Sequence, residues 1–311
     1  MTAPSPRIVN LSVALLCALW GSTWVVIRGG LADLPPLTSA GLRFLIAGLL
    51  MAWLVRLLGR FESGAPPARG VWVLVGVLNF AVSYGVVYWV EQFLPSGLVA
   101  VLWGVFPLLM AASGHLFLPG ERLRGLQWLG FAAGFSGIVL LFSTDLQGIG
   151  AGAIPAAALL LLSPLVCAVG TTVVKRCASG TSSLRLNRNA MLLGSVLLLG
   201  AAAWVERDRK FAWSLRAWAS IGYLAVFGTV VTFGVYFWLL RFAAANKLSL
   251  VSYVTPVVAL WLGWLCADEP VRGSTLAGTA LVAAGVLAAL RSPRVGGRGA
   301  GPAEGGTLRR S

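Results

Sequence analysis

Apolar residues along this chain gather into long unbroken runs. They do not show the alternation of a half-buried strand or the three-and-four spacing of a helix with one wet face. Runs long enough to cross a bilayer, roughly 20 residues each, fall at 9–28, 37–58, 71–90, 96–118, 126–142, 153–174, 189–204, 217–240, 248–266 and 274–290. Ten membrane-spanning helices are the expectation, with the fifth and seventh at the lower length limit and their ends least sharply marked. The first run is expected to be a retained helix. Only Arg7 precedes it, it is long for a signal peptide, and Arg28 stands where a small-residue cleavage site would be needed.

The polar punctuation between the runs recurs. ERLRGLQWLGFAAGFSG at 121–137 returns as EPVRGSTLAGTALVAAG at 269–285, so that Glu121, Arg124, Gly125, Gly130 and Gly137 match Glu269, Arg272, Gly273, Gly278 and Gly285, each 148 positions on. TWVVIR at 23–28 reappears as TTVVKR at 171–176 with the same offset, and YGVVYW at 84–89 as FGVYFW at 233–238 with an offset of 149. Phe93 with Phe242 and Pro107 with Pro256 keep that second spacing. Helices one to five therefore correspond to six to ten. Because five is odd, the second copy enters the membrane upside down. The predicted fold is all-α, two inverted five-helix repeats at 1–148 and 149–290 related by a pseudo-two-fold axis in the membrane plane. Inverted repeats characterise alternating-access transporters; a duplication kept for packing alone is the competing account.

Composition agrees with a membrane protein: 58% hydrophobic, 11% charged, mean hydropathy +0.85, against about a quarter charged in a soluble domain. The excess of 24 basic over 10 acidic residues is read as a topology signal and not as a nucleic-acid footprint. With the N-terminus inside, 17 of the basic residues fall on the inner side and 6 on the outer, with Arg43 inside a span. That bias places both termini in the cytoplasm. One exception is ERDRKFAWSLRA, which puts Arg207, Arg209, Lys210 and Arg216 on the predicted outside. The glycine-rich tail at 291–311 has too little apolar content to order itself and is expected to be a disordered cytoplasmic segment. Cys17, Cys167, Cys177 and Cys266 lack any CxxC spacing, and His115 is the only histidine. No disulfide framework, metal, cofactor or enzymatic site is expected.

Several stretches carry a family resemblance: WGSTWVVIR, PPLTSAGLRFLIAGLLM, FPLLMAASGHLFLPGERLRG, TPVVALWLGWLCADEPVRG and the glycine-spaced fifth and tenth helices. In this order, in both halves, they resemble the EamA-like branch of the drug/metabolite transporter superfamily, over almost the whole chain apart from the tail. The resemblance implies a bacterial inner-membrane exporter of metabolites such as amino acids, with ten helices and a central cavity between the halves. The partners expected are a small-molecule substrate and the lipid bilayer, with the chain working as a monomer.

Polar and aromatic side chains on otherwise apolar helices mark where a substrate would sit, because lipid-facing positions give them no role. Tyr84, Tyr88 and Glu91 share one face of the third helix, predicting an aromatic wall with an acidic end. The interfacial aromatic belt is the other account of the tyrosines. Thr229, Thr232 and Tyr236 form a polar stripe on the eighth helix, beside Phe233 and Phe237. Trp103 precedes Pro107 as Ser252, Tyr253 and Thr255 precede Pro256, so the prolines are either hinges at a binding site or packed kinks. Trp20, Ser22 and Thr23 make the first helix another candidate wall. Arg43, shallow in the second helix, can snorkel, pair with Glu91 or receive a substrate carboxylate. The expected substrate-binding set is thus Trp20, Thr23, Arg43, Tyr84, Tyr88, Glu91, Trp103, Thr232, Tyr236 and Tyr253. Glu121 and Glu269 are read as structural, each complementing the helix that follows and pairing with nearby arginine. Gly130 and Gly134 are read as a close-packing step. No acidic residue lies at mid-membrane, which leaves proton coupling through a shallow carboxylate and gradient-driven exchange both open. The leading expectation is a secondary exporter of aromatic or amphipathic metabolites. A non-transporting scaffold or lipid-handling protein, with those aromatics facing lipid, is the alternative.

Overall fold

Ser5 opens the first helix by accepting a hydrogen bond from the Ile8 N–H, and Pro6 occupies the first turn, where its missing donor costs nothing. The computed structural model describes residues 4–58, 64–94, 99, 102–141, 154–258 and 273–290. Within these, α1 spans Pro6–Leu31, α2 Pro36–Leu58 and α3 Arg69–Val90. After them come α4 at Phe106–Phe117, α5 at Gly125–Leu141, α6 at Ile154–Cys177 and α7 at Ser183–Val205. The last elements are α8 at Leu215–Leu239, α9 at Ala245–Ser249 resuming over 251–258, and α10 at Gly273–Leu290. Among the described residues the only strand-like pairing is one isolated bridge, Ala65 to Thr181. The fold is all-α, and α1, α2, α3, α6, α7 and α8 are long and apolar enough to cross a membrane; α4, α5 and α10 are apolar but shorter. Glu269, Arg272, Cys266 and the tail at 291–311 lie outside the described residues.

Three features differ from the reading of the sequence. The seventh helix starts at Ser183, well before the expected 189, because Ser182 caps it and the amide nitrogen of polar Asn187 is held inside the bundle, donating to the carbonyls of Ser183 and Phe233. Hydropathy marked that turn as connection, so Arg185 and Arg188 belong to a helix. Pro107 does not kink a span: it sits in the first turn of α4, where no N–H is needed. Pro164 instead sits inside α6, which runs through it from Ile154 to Cys177. The third difference is that α3 and α8 each widen into a π-helical stretch, Gly76–Val82 and Val226–Val231, at corresponding positions of the two halves. Such widenings cluster at functional sites.

Helix packing respects the same correspondence. α2 lies along α7 and α5 along α10, α3 leans on α6 as α1 leans on α8, and α3 meets α7 as α8 meets α2. Two buried carboxylates tie the halves at opposite ends of the bundle. Glu206 accepts from the N–H groups of Leu37 and Thr38 at 2.8 Å each and from the Thr38 hydroxyl at 2.7 Å, filling the open donors at the start of α2. Glu121 accepts from the N–H groups of Ala245 and Asn246 at 2.9 and 3.2 Å. This corrects the expectation for Glu121: it caps α9 across the bundle, not the start of its own α5, and no arginine pairs with it among the described residues.

The basic connection 206–216 is held by groups of its own end. Arg216 grips Asp33 through two 2.7 Å bonds, Ser214 donates to the same carboxylate at 2.6 Å, and Arg209 donates to Gln92 at 2.6 Å. Hydrogen bonds from Arg216 and Ser214 hold the Asp33 carboxyl down at about 2, against a usual 3.8. Because the folded value lies below the unfolded one, the pair's stabilisation is complete above about pH 4 and is lost as pH falls through about 2. Asp33 → Asn is expected to lower the neutral unfolding midpoint and to flatten that acid-side loss in a pH series by the same amount, a small one since Arg216 is largely exposed. An unchanged acid limb would remove the assignment.

Candidate functional site

A cavity of about 90 Å³ lies where α1, α3, α4, α6, α8 and α9 meet. Trp20, Thr23 and Trp24 of α1 form one side, and Asn79, Ser83 and Tyr84 of α3 the next. Trp103 and Phe106 face them from the fourth segment, Cys167 and Thr171 from α6, Phe233, Tyr236 and Phe237 from α8, and Ser252 and Thr255 from α9. The rings interlock: Trp20 lies 5.6 Å from Phe233 and 5.4 Å from Tyr236, Tyr84 lies 6.2 Å from Phe233, and Trp103 lies 5.0 Å from Phe106, all within aromatic contact range. A serine bridge fixes the Trp103 indole, which donates to Ser163 Oγ at 2.9 Å while that oxygen also meets Ser83 Oγ at 2.8 Å.

Much of the lining consists of repeat mates. Thr23 and Thr171 are 148 positions apart; Tyr84 and Phe233, Val87 and Tyr236, Trp103 and Ser252, and Phe106 and Thr255 are each 149 apart, and all ten residues line the cavity. Five residues expected from the sequence are brought together here: Trp20, Thr23, Tyr84, Trp103 and Tyr236. Thr171, Phe233 and Ser252 were absent from that expected set, yet adding the repeat offset to Thr23, Tyr84 and Trp103 points straight at them.

The other five expected residues do not line the cavity. Arg43 is buried behind Tyr84, its guanidinium carbon 4.9 Å from that ring. It neither snorkels nor pairs with Glu91: Nε donates to Thr229 Oγ1 at 2.7 Å, Nη1 to the Tyr88 hydroxyl at 3.2 Å and Nη2 to the Gly228 carbonyl at 2.9 Å. The π-helical stretch of α8 presents both Thr229 and Gly228 to it. Tyr88 is therefore an internal acceptor, not a belt residue. Glu91 is buried with both carboxylate oxygens unpartnered. Thr232 donates back to the Thr229 carbonyl. Tyr253 packs in a separate cluster beside Ala111 and Phe131 and donates to the Phe131 carbonyl at 2.7 Å, because Gly134 leaves room for its ring. No cluster of three metal-ligating side chains occurs among the described residues.

Apolar helices of membrane length closed around an internal aromatic cavity define a multi-pass helical membrane protein. The chain belongs to the EamA-like transporter family, whose profile matches residues 7–143 and 154–291, and it is a membrane transporter. It is 34% identical over 276 residues to the uncharacterized inner membrane transporter YedA of Escherichia coli (strain K12), covering 88% of this chain and 85% of that one. It is 25% identical over 280 residues to the uncharacterized transporter YoaV of Bacillus subtilis (strain 168), covering 90% and 95%. A solved crystal structure shares the fold with a TM-score of 0.78 at 20% identity, covering 92% of this chain and 98% of that one.

Proposed function

We propose that this chain is a secondary transporter of the bacterial inner membrane that exports small aromatic or amphipathic metabolites by alternating access, holding them non-covalently in the cavity between two inverted five-helix repeats, 1–148 and 149–290. The observation that carries the reading is the lining by repeat mates: a site shared by two copies of one unit is what exchange of the copies' conformations requires. The paired packing of α2 with α7 and α5 with α10, and the family match in two blocks, support the same division. The name of YedA supports the inner membrane, and the distribution of basic residues supports cytoplasmic termini. Amino acids enter through the family resemblance; what the walls themselves favour is an aromatic ring. The scaffold alternative needs Tyr84 and Trp103 turned to lipid, whereas both line the cavity. The chain is taken to act as a monomer.

The test is efflux from proteoliposomes loaded with a panel of aromatic amino acids and ring-bearing metabolites, with and without a collapsed proton gradient. At least one compound should leave faster than from protein-free vesicles. Trp103 → Ala and Phe233 → Ala should each slow it about tenfold, since an aromatic contact is worth up to about 1.5 kcal/mol beyond its area and 1.4 kcal/mol is a factor of ten. Equal rates in both variants, with the fold intact, would dismiss the cavity as the transport site.

A further inference from the structure

The lining carries more information than its aromaticity. Among its described residues none is Asp, Glu, Lys, Arg or His. Arg43, the cation behind Tyr84, lies outside the lining with three of its five N–H groups given to Thr229, Tyr88 and Gly228, and its positive field opposes a cation at the same wall. Glu91 lies outside the lining. A charged ligand would leave water without a partner, and that penalty runs to several kcal/mol per ion even after relaxation.

Three lining residues carry a buried polar atom without a hydrogen-bond partner, and two of these sit on adjacent rings: the Trp20 indole Nε1–H and the Tyr236 hydroxyl, the latter beside the Thr171 side chain. The first can only donate; the second donates or accepts. Several other polar groups of the lining are engaged. Trp103 Nε1 donates to Ser163, Thr23 Oγ1 donates to the Trp20 carbonyl, and Asn79 Nδ2 reaches the Cys167 carbonyl. Asn79 Oδ1 also lacks a partner, but it lies against Gly170, in the space a Cβ there would need, and so is turned to the α6 backbone. Native proteins rarely leave buried donors unpaired, and such orphans call for an explanation. The cavity of about 90 Å³ corresponds to roughly seven water-sized volumes at about 10–15 Å³ each, room for a one- or two-ring molecule.

Resting on the reading of this cavity as the substrate site, we propose that it takes an uncharged aromatic molecule with a hydrogen-bond acceptor at its edge, such as a carboxamide or ring carbonyl. The acceptor closes on the Trp20 N–H and the Tyr236 hydroxyl while the ring stacks among Phe233, Tyr84 and Trp103. Ring-bearing compounds that are anionic, cationic or zwitterionic are poor ligands of this state.

Four indoles that differ in charge test this on the purified full-length chain in detergent by titration calorimetry at neutral pH: indole-3-acetamide (neutral), tryptamine (cation), indole-3-acetate (anion) and tryptophan (zwitterion). The acetamide should bind at least about tenfold more tightly than each of the others, since even 1.4 kcal/mol of unpaired-charge cost is that factor. Trp20 → Phe and Tyr236 → Phe keep the rings and should each weaken the acetamide about fivefold, as expected for one hydrogen bond of about 1 kcal/mol. A charged member binding as tightly as the acetamide overturns the substrate class; if Phe233 → Ala abolishes that binding, the cavity itself stands as the site. Binding indifferent to Trp20 → Phe and Tyr236 → Phe overturns the two anchors. No binding by any of the four up to millimolar concentration overturns the proposal, and only a negative flux panel as well would reach the transport reading.

Discussion

Arg43 → Ala is expected to cost on the order of 3–5 kcal/mol of stability, the range for removing one partner from a buried charged network. The guanidinium is 1% exposed, and three acceptors from two helices depend on it: the Thr229 hydroxyl, the Tyr88 hydroxyl and the Gly228 carbonyl. Removing it takes a donor from each of those oxygens in an apolar bundle, at about 1–3 kcal/mol for each group left unsatisfied before relaxation, although the Thr229 hydroxyl keeps its bond to the Leu224 carbonyl. It also opens a void beneath Phe44 and Tyr84, whose rings now cover the cation. Arg43 → Lys should recover only part of the loss, because an ammonium is a point donor and cannot span three acceptors as the planar fork does. The measurement is the thermal unfolding midpoint of purified variants in detergent. An alanine variant within experimental error of the parent would mean that the network does not hold α2 to α8.

Arg43 also shows where reading the sequence reached its limit. Its depth in α2 raised the right question, why an arginine sits inside a span, but two of its three partners lie on α8. They reach it through a π-helical stretch that leaves no trace in hydropathy, since composition does not encode which carbonyl each N–H will meet. The same stretch takes Thr229 and Thr232 out of the polar stripe inferred at ordinary helical spacing: one goes to Arg43, the other to a local carbonyl. Tyr253 failed for a different reason. Which face of α9 turns inward depends on Gly134 of a distant helix leaving room for the ring, a fact of tertiary packing. What proved legible was whatever depends on length and recurrence. The apolar runs located most of the described helix ends to within a few residues; the starts of α7, blurred by Asn187, and of α4, which opens at Phe106 against an expected 96, are the exceptions. The offsets of 148 and 149 carry more of the cavity than any individual motif, for they link Thr23 to Thr171 and Trp103 to Ser252 across the lining.

The recurring glycines lead to the second large effect. In α5, a Cβ on Gly130 would stand 2.5 Å from the Ala289 nitrogen and 2.7 Å from the Gly285 carbonyl oxygen, and one on Gly137 would stand 2.7 Å from the Val282 nitrogen. These neighbours are backbone atoms of α10, which cannot rotate aside as a side chain would. Alanine ordinarily stabilises a helix interior over glycine by up to about 1 kcal/mol, so with free space the substitution should help. Here the clash must exceed that gain: overpacking costs about 1–3 kcal/mol and occasionally more. Gly130 → Ala is therefore expected to lower the unfolding midpoint, and Gly130 → Val, which adds two more methyl groups against the same backbone, to abolish recovery of folded protein. Gly200 of α7 supplies the opposite sign, since a Cβ there meets nothing within 4 Å; Gly200 → Ala should leave the midpoint unchanged or raise it. If Gly130 → Ala proved as harmless as Gly200 → Ala, α5 and α10 would not touch along their glycines, and the paired-helix packing that joins the two halves at this edge would be wrong.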